Sequence, residues 1–367
     1  NQVGRFYAIN MIASGIGGIL AVGLAYAAPA ETLPGWIGIG AACALLLWTA
    51  GVRGIDRPKW SSLHLPIVSV MIAVAAASVL FPPPLRMDRY KAEAHAQRLA
   101  EQGDAELIAQ HNGPRARLSV YDAPSIHFTL FASPLAPLPP GQFPLYSDGS
   151  LAGPIFAIDT PESAPVVMQL PQGLAYRLVN SADVLLLGET TGVNVWMALA
   201  HGANSVTVVQ ENPALVRMIQ DDLADEGGSV FSRSDVTVVT TSPRLFLERA
   251  REHYDIIHLA AAEGMPASAG GLGSLSEDYL LTVEAAELAL ARLRPAGLLT
   301  ATRGLQTPPR DNIRLFGLFA EAVKGVGGNP GSQLLQARNY LAATTIAAAQ
   351  PVGSPRLSQF FYACVQL

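Results

Sequence analysis

The sequence predicts a chain of two characters: a transmembrane segment of three α-helices, then an α/β portion in which a small antiparallel sheet precedes a larger parallel one. Three observations predict it. Half of the 367 residues are hydrophobic and only 14% are charged, and from Gly4 to Phe81 the charged residues are Arg5, Glu31, Arg53, Asp56, Arg57 and Lys59 alone. Between Arg115 and Val167, short β-branched and aromatic runs are punctuated by proline and glycine. From Ala182 onward, continuous apolar strand patterns alternate with helical ones, which is the signature of a parallel sheet covered on both faces. The length itself calls for at least two folding units.

The apolar stretches of the first part run over 8–28, 36–52 and 63–81. At ~1.5 Å rise per residue, each is read as crossing most of a ~30 Å hydrocarbon core, the second being marginal. Small residues recur at helix-packing spacing, with Ser14, Gly15, Gly17 and Gly18 in the first stretch and Gly38, Gly40, Ala41 and Ala42 in the second. A soluble hydrophobic hairpin fits the spanning length poorly. A cleaved signal peptide fits no better, because three segments follow one another without a cleavage site. Arg5 on one flank and Arg53, Arg57 and Lys59 in the second loop place those loops in the cytoplasm of a bacterial inner-membrane type of protein. The third helix would then deliver the large domain to the periplasm, although Arg86, Arg89 and Lys91 follow that helix directly and weigh the other way. The chain begins without methionine, in a helix that reads as the middle of a bundle, and ends at QFFYACVQL, so further sequence is expected at both ends.

Pro82, Pro83 and Pro84 stop the third helix, and a linker helix is expected over 85–112. A small β domain follows over 113–180, with strands in ARLSVYD (116–122), SIHFTLF (125–131), FPLYSDG (143–149) and GPIFAID (153–159). In the last part, 181–367, the strand patterns are DVLLLG (183–188), SVTVVQ (205–210), DVTVVTT (235–241), YDIIHLA (254–260) and GLLTATR (297–303), with a helix expected from Asp278 to Leu293. Ligands of such sheets bind beyond the carboxyl ends of the strands, at the switch point after the first. A net charge of −5 without a basic patch argues against nucleic acid as a partner. Cys43 and Cys364 form no metal or redox spacing, and the seven histidines are scattered.

The run LLLGETTGVNVWMALAHGANSVTVVQENP (185–213) resembles the first motif and second strand of the spermidine synthases. YDIIHL (254–259), LSEDYLLTVEAAELALARLRPAGLLTATR (275–303) and YSDG (146–149) resemble the membrane-fused branch of that family. The resemblance implies a small N-terminal sheet and a seven-stranded Rossmann domain of the S-adenosylmethionine-type transferases. It also implies a site for decarboxylated S-adenosylmethionine and an aspartate that deprotonates the attacking amine.

Position by position, this chain departs from that site. The loop Gly188-Glu189-Thr190-Thr191-Gly192 keeps its outer glycines but carries β-branched threonines, which resist positive φ, where the family has glycine. Gln210 stands where an acidic residue grips the ribose, with Glu211 beside it as a substitute only if the strand bulges. Ser242 stands where an acid receives the adenine amine, and Ala260 where the catalytic aspartate is counted. An alanine accepts no proton, so activity would need another base. Glu263 matches a second, polyamine-binding carboxylate of the family and is the remaining acid of its loop. His258 and Asp255 lie on the strand before it and read as core and structural residues. Glu162 is the single acid in TPESAPVVMQLPQG (160–173), where the family grips its diamine.

Fold and function are carried by different residues. The expectation is therefore a pseudoenzyme without cofactor or catalytic residue, an accessory subunit held among other membrane proteins. Two alternatives stand beside it. One is an active aminopropyl- or methyl-transferase using Glu263 with decarboxylated S-adenosylmethionine or S-adenosylmethionine, and the other a polyamine-binding sensor or transporter accessory.

Overall fold

The computed structural model describes residues 2–51, 64–82, 87–128, 131–263 and 279–366. The chain divides into two compact units. One comprises Asn1–Gln97, Gln110–Leu118 and Ser147–Ser150, and the other Arg98–Ala109, Ser119–Tyr146 and Leu151–Leu367.

The first unit opens with three apolar helices, α1 (Gln2–Ala27), α2 (Leu33–Gly51) and α3 (His64–Leu80). Here the expectation of three spans is corrected. Among the described residues, α1 is the one helix long and apolar enough to cross a membrane, over the 25 residues Val3–Ala27. Over their described residues the apolar runs of α2 and α3, Leu33–Leu47 and Pro66–Leu80, fall short of the ~20 residues a span requires. What α2 and α3 do instead is pack on each other. A Cβ at Gly35 would stand 2.6 Å from Val79 Cγ2 and 2.7 Å from the Ala75 carbonyl, so glycine there is what admits the second helix. None of the α1 span is buried, and Phe6, Ile19, Ile37, Leu47, Val70 and Val74 are exposed along the three helices. The charged second loop used for orientation lies outside the described residues.

The polar stretch expected as one helix over 85–112 contains a shorter one, α4 (Glu93–Gln102), followed by strand β1 (Glu106–Asn112). The helix stops because Gly103 takes φ +86°, the left-handed turn that ends helices. Strands β2 (Arg117–Asp122), β3 (Gln142–Ser147) and β4 (Ser150–Phe156) complete a four-stranded sheet in the order β1-β2-β3-β4. Asp148 and Gly149 both have positive φ, as a two-residue hairpin turn requires, and the Asp148 carboxylate accepts from the Arg117 amide at 2.9 Å. SIHFTLF forms no strand over its described residues. The amide and carbonyl of Phe128 are satisfied by the side chain of Gln142, at 2.8 and 3.0 Å, and so have no need of a ladder.

The second sheet has seven strands in the order β10-β11-β9-β8-β5-β6-β7. In chain order the elements are β5 (Asp183–Leu187), α5 (Val193–Ala200), β6 (Ser205–Gln210), α6 (Pro213–Arg217), β7 (Val236–Thr240), α7 (Pro243–Arg249) and β8 (Tyr254–His258). They continue as α8 (Val283–Ala291), β9 (Leu293–Gly304), α9 (Arg310–Gly325), α10 (Pro330–Gln333), β10 (Leu334–Arg338), β11 (Ala342–Ala348) and α11 (Ser354–Val365). The pairs from β7 through β9 are parallel, and β11 and β10 close the edge antiparallel, so the sheet is mixed. The start expected for α8, at Asp278, lies outside the described residues; its N-cap is Thr282, whose hydroxyl accepts from the Ala285 amide.

Strand alternation sorts the core into two faces. Leu185, Leu187, Ile257, Leu299 and Ala301 pack with Ala286, Leu290, Leu315 and Phe319 of α8 and α9. Leu298, Ile346 and Ala348 pack with Leu174, Leu178 and Phe360 on the other face. That second face also carries His258, paired in register with Leu186 and Thr300. Over it the chain runs as short 3-10 turns, Pro161–Ser163, Pro165–Gln169, Pro171–Leu174 and Tyr176–Leu178, instead of a long helix.

At the amino ends of the parallel strands one arginine joins two of them. Arg294 Nη2 lies 2.7 Å from Asp183 Oδ2, its Nη1 donates to Asp255 Oδ2, and the same Asp255 oxygen accepts from the Asp183 amide at 3.0 Å. Hydrogen bonds from Asn204 and Ser205, and then Arg294, hold the Asp183 carboxyl below the ordinary aspartate range. All three side chains are partly exposed, so Arg294→Ala is expected to cost about 1 kcal/mol in urea denaturation, the scale of a solvent-screened pair. Asp183 contributes above the ordinary aspartate range and loses its contribution as acid carries the pH down through its depressed value. The deficit of Arg294→Ala should therefore shrink in acid.

Candidate functional site

The carboxyl ends of β5, β6 and β8 meet where a parallel sheet of this kind presents its crevice. Gly188 and Gly192 shape the loop between β5 and α5, with φ of +78° and +84°. A Cβ on Gly188 would lie 2.5 Å from the Ala261 Cβ, and one on Gly192 would lie 2.5 Å from Val230 Cγ1. Both glycines therefore serve the turn and the close approach of neighbouring chain.

Glu189 turns inward and is 2% exposed. Its Oε1 accepts from the amides of Thr191 at 3.0 Å and Gly192 at 2.8 Å, and its Oε2 from Asn194 Nδ2 at 2.7 Å. These amides line the start of a helix, where an anion is ordinarily welcome. Here the chain's own carboxylate takes the place. Gln210, also buried, donates to the Glu189 carbonyl at 2.6 Å and accepts from the Asn212 amide at 3.0 Å, so both ends of its amide are committed to the backbone. Thr190 donates to the Ala152 carbonyl at 3.3 Å, and Thr191 is buried.

A second carboxylate closes the group from below. Asn194 Nδ2 also donates to Glu263 Oε2 at 3.0 Å, and Glu263 Oε1 stands 2.7 Å from His258 Nε2, off the line of a strong hydrogen bond. His258 is fully buried, and its Nδ1 meets the Tyr176 hydroxyl at 3.0 Å. Tyr176 in turn stacks on His201, ring centroids 5.8 Å apart. The result is one connected path: Tyr176, His258, Glu263, Asn194, Glu189.

The electrostatics follow from burial. Glu189 is raised above the ordinary glutamate range, first by loss of water and then by the negative charge of Glu263, with the Asn194, Gly192 and Thr191 bonds opposing. Tyr176 is pushed well up by burial and by both carboxylates. His201 is lowered to about 4 by burial and by the nearby Arg177.

Of the residues singled out in sequence, Glu189, Gln210 and Glu263 come together. Glu211 and Ser242 are exposed at the ends of β6 and α7, and Glu162 is exposed on the turn Pro161–Ser163. Ala260, itself buried, begins a 3-10 turn, Ala260–Ala262, held by Arg303 Nη1 on the Ala262 carbonyl at 3.1 Å. Asp255 belongs to the Arg294 bridge at the opposite end of its strand. Tyr176 and Asn194 were not anticipated. Asn194 had a signal, being the one polar side chain in the run VNVWMALA, whereas Tyr176 had none in the sequence around it.

The residues present do not fit an adenosyl group. The loop amides are taken by Glu189, the amide of Gln210 is tied to the backbone, and Ala261 stands over Gly188. Among the described residues, no three His, Cys, Asp or Glu side chains are placed to hold a metal.

No family model and no curated protein matches the sequence. Solved structures similar in fold include a spermidine synthase in complex with the transition state analogue AdoDATO, at 13% identity over 69% of this chain and 75% of that one, with a TM-score of 0.44. The spermidine synthase of Thermotoga maritima gives 12% identity over 69% and 75%, with a TM-score of 0.45. A probable spermidine synthase of Corynebacterium glutamicum gives 14% over 70% and 87%, with a TM-score of 0.47.

Two outcomes follow from the Glu189 cluster. Glu189→Ala strands the amides of Thr191 and Gly192 in a buried crevice and should cost about 1–3 kcal/mol in chemical denaturation at neutral pH. A carboxyl raised in the folded state adds stability that is full below its unfolded value and is lost as pH rises through the folded one. Wild type should accordingly lose stability relative to Glu189→Gln as the pH is raised from mild acid into the alkaline range.

Proposed function

We propose that this chain is a membrane-anchored, spermidine-synthase-like protein that performs no aminopropyl transfer and serves as an accessory subunit among other membrane proteins. One observation carries the reading: the carboxylate of Glu189 occupies the loop amides that a nucleoside site would need. The motifs quoted from the sequence supply the family likeness, and α1, apolar and unburied over Val3–Ala27, supports an anchor. Gln210 and Ala260 add to the same conclusion, since neither supplies the charge that gripping a ribose or accepting an amine proton demands. A periplasmic position for the large domain, as the charged loops suggest, would also separate it from cytosolic cofactor.

A second reading is favoured by the two carboxylates themselves. Glu263 is 18% exposed, so its edge could meet a cationic polyamine without reaction, as a sensor or transporter accessory would require.

Calorimetry on the full chain in mild detergent separates these readings. S-adenosylmethionine, its decarboxylated form and methylthioadenosine are expected to give no heat of binding at millimolar concentration, and micromolar binding of any of them would overturn the proposal. Binding of spermidine alone would move the assignment to the sensor. Purification from native membranes is expected to bring down a stoichiometric membrane partner, and recovery of a lone monomer would contradict the accessory role.

A further inference from the structure

The closed crevice contains more than a plug, because its fastening is made of two acids and a single amide. Glu189 lies in the loop after β5, Asn194 on α5 and Glu263 at the end of the turn after β8, so the amide of Asn194 ties three separate pieces of chain with bonds of 2.7 and 3.0 Å. Asn194 is 4% exposed, and its Oδ1 has no partner. An unpaired polar atom in a buried network carries a desolvation cost that opening would relieve. We propose that Glu189, Asn194 and Glu263 form a proton-operated latch, closed while Glu189 carries a proton and released when it ionises beside the Glu263 carboxylate. The proposal rests on the reading that the crevice is closed by the chain itself.

Each neighbour bears on the direction of movement. Around the pair stand His258 from β8, Tyr176 from the 3-10 turn over the sheet, and His201 at the end of α5 with Arg177 beside it. From β9 comes Arg303, which is engaged with the Ala262 carbonyl and Asp311. Among the described residues, no lysine or arginine forms an ion pair with either carboxylate, so two charges here repel without a cation between them. Glu189 is enclosed and held by two backbone amides, whereas Glu263 has an open edge. Glu263 is therefore the member that leaves. Its departure would free Asn194 and the turn Ala260–Ala262 and loosen the loop over Gly188, against which Ala261 packs. The crevice would be shut in acid and open in base.

Hydrogen exchange on the full chain in mild detergent tests this, with rates corrected for the intrinsic pH dependence of exchange. Between pH 5.5 and pH 8.5 the amides of Thr191 and Gly192 are expected to lose about tenfold in protection relative to β5 and β6, a loss on the scale of one pH unit of linkage. Glu263→Gln, which removes one charge and retains an acceptor, should keep them protected across the range. Glu189→Gln, which keeps the acceptor for the same amides, should also flatten the profile. Unchanged protection in the wild type, or an equal loss in Glu263→Gln, would overturn the latch. Methylthioadenosine titrated at both pH values distinguishes this failure from that of the closed-crevice reading. Tight binding in acid sinks the reading itself, whereas flat exchange without binding sinks the latch alone.

Discussion

A carboxylate removed from water must find donors or take up a proton, and Glu189 is placed where it does the first while leaning toward the second. Much of the crevice is arranged around that need. The turn at Gly188 and Gly192 brings two amides to Oε1, the polar residue on an otherwise apolar α5 reaches Oε2, and Gln210 fastens the Glu189 carbonyl. A helix start that would suit an external anion is thus neutralised from within. The glycines of that turn admit the close approach of Ala261 and Val230.

The constraint reaches across the sheet. Because His258 alternates onto the face covered by 3-10 turns, it meets Tyr176 on one side and Glu263 on the other, and the second acid is held near the first. A long helix over that face would present a regular apolar stripe. The proline-punctuated turns from Pro161 to Leu178 allow a tyrosine hydroxyl to be delivered to one buried ring nitrogen. The fold and the closed crevice are in this sense one construction, with the arginine bridge of Arg294 joining the far ends of the same strands.

Much of this architecture was legible in the sequence, because continuous apolar runs such as DVLLL, SVTVV and YDIIH admit few readings once they alternate with helices. FPLYSDG, read as a strand over 143–149, ends as one at Ser147 and turns at Asp148 and Gly149. Where a distant side chain replaces a local partner, sequence was silent: Gln142 satisfies Phe128 and removes an expected strand, and Gly103 ends an expected helix early. Helix length misled in the apolar part, where the runs Leu33–Leu47 and Pro66–Leu80 are shorter than the stretches read as spans. At the site, composition pointed to what was missing, namely glycines and acids at four positions. It did not show that Glu189 would fold into the space, since inward rotation of one side chain depends on donors brought by α5 and β6.

The most direct test of this account is a crystal structure of the full chain grown with saturating S-adenosylmethionine. The account predicts Glu189 on the amides of Thr191 and Gly192, with Asn194 between it and Glu263. A nucleoside lying over Thr190, its sugar gripped by Gln210 or Glu211 and the Glu189 carboxylate displaced, would contradict it.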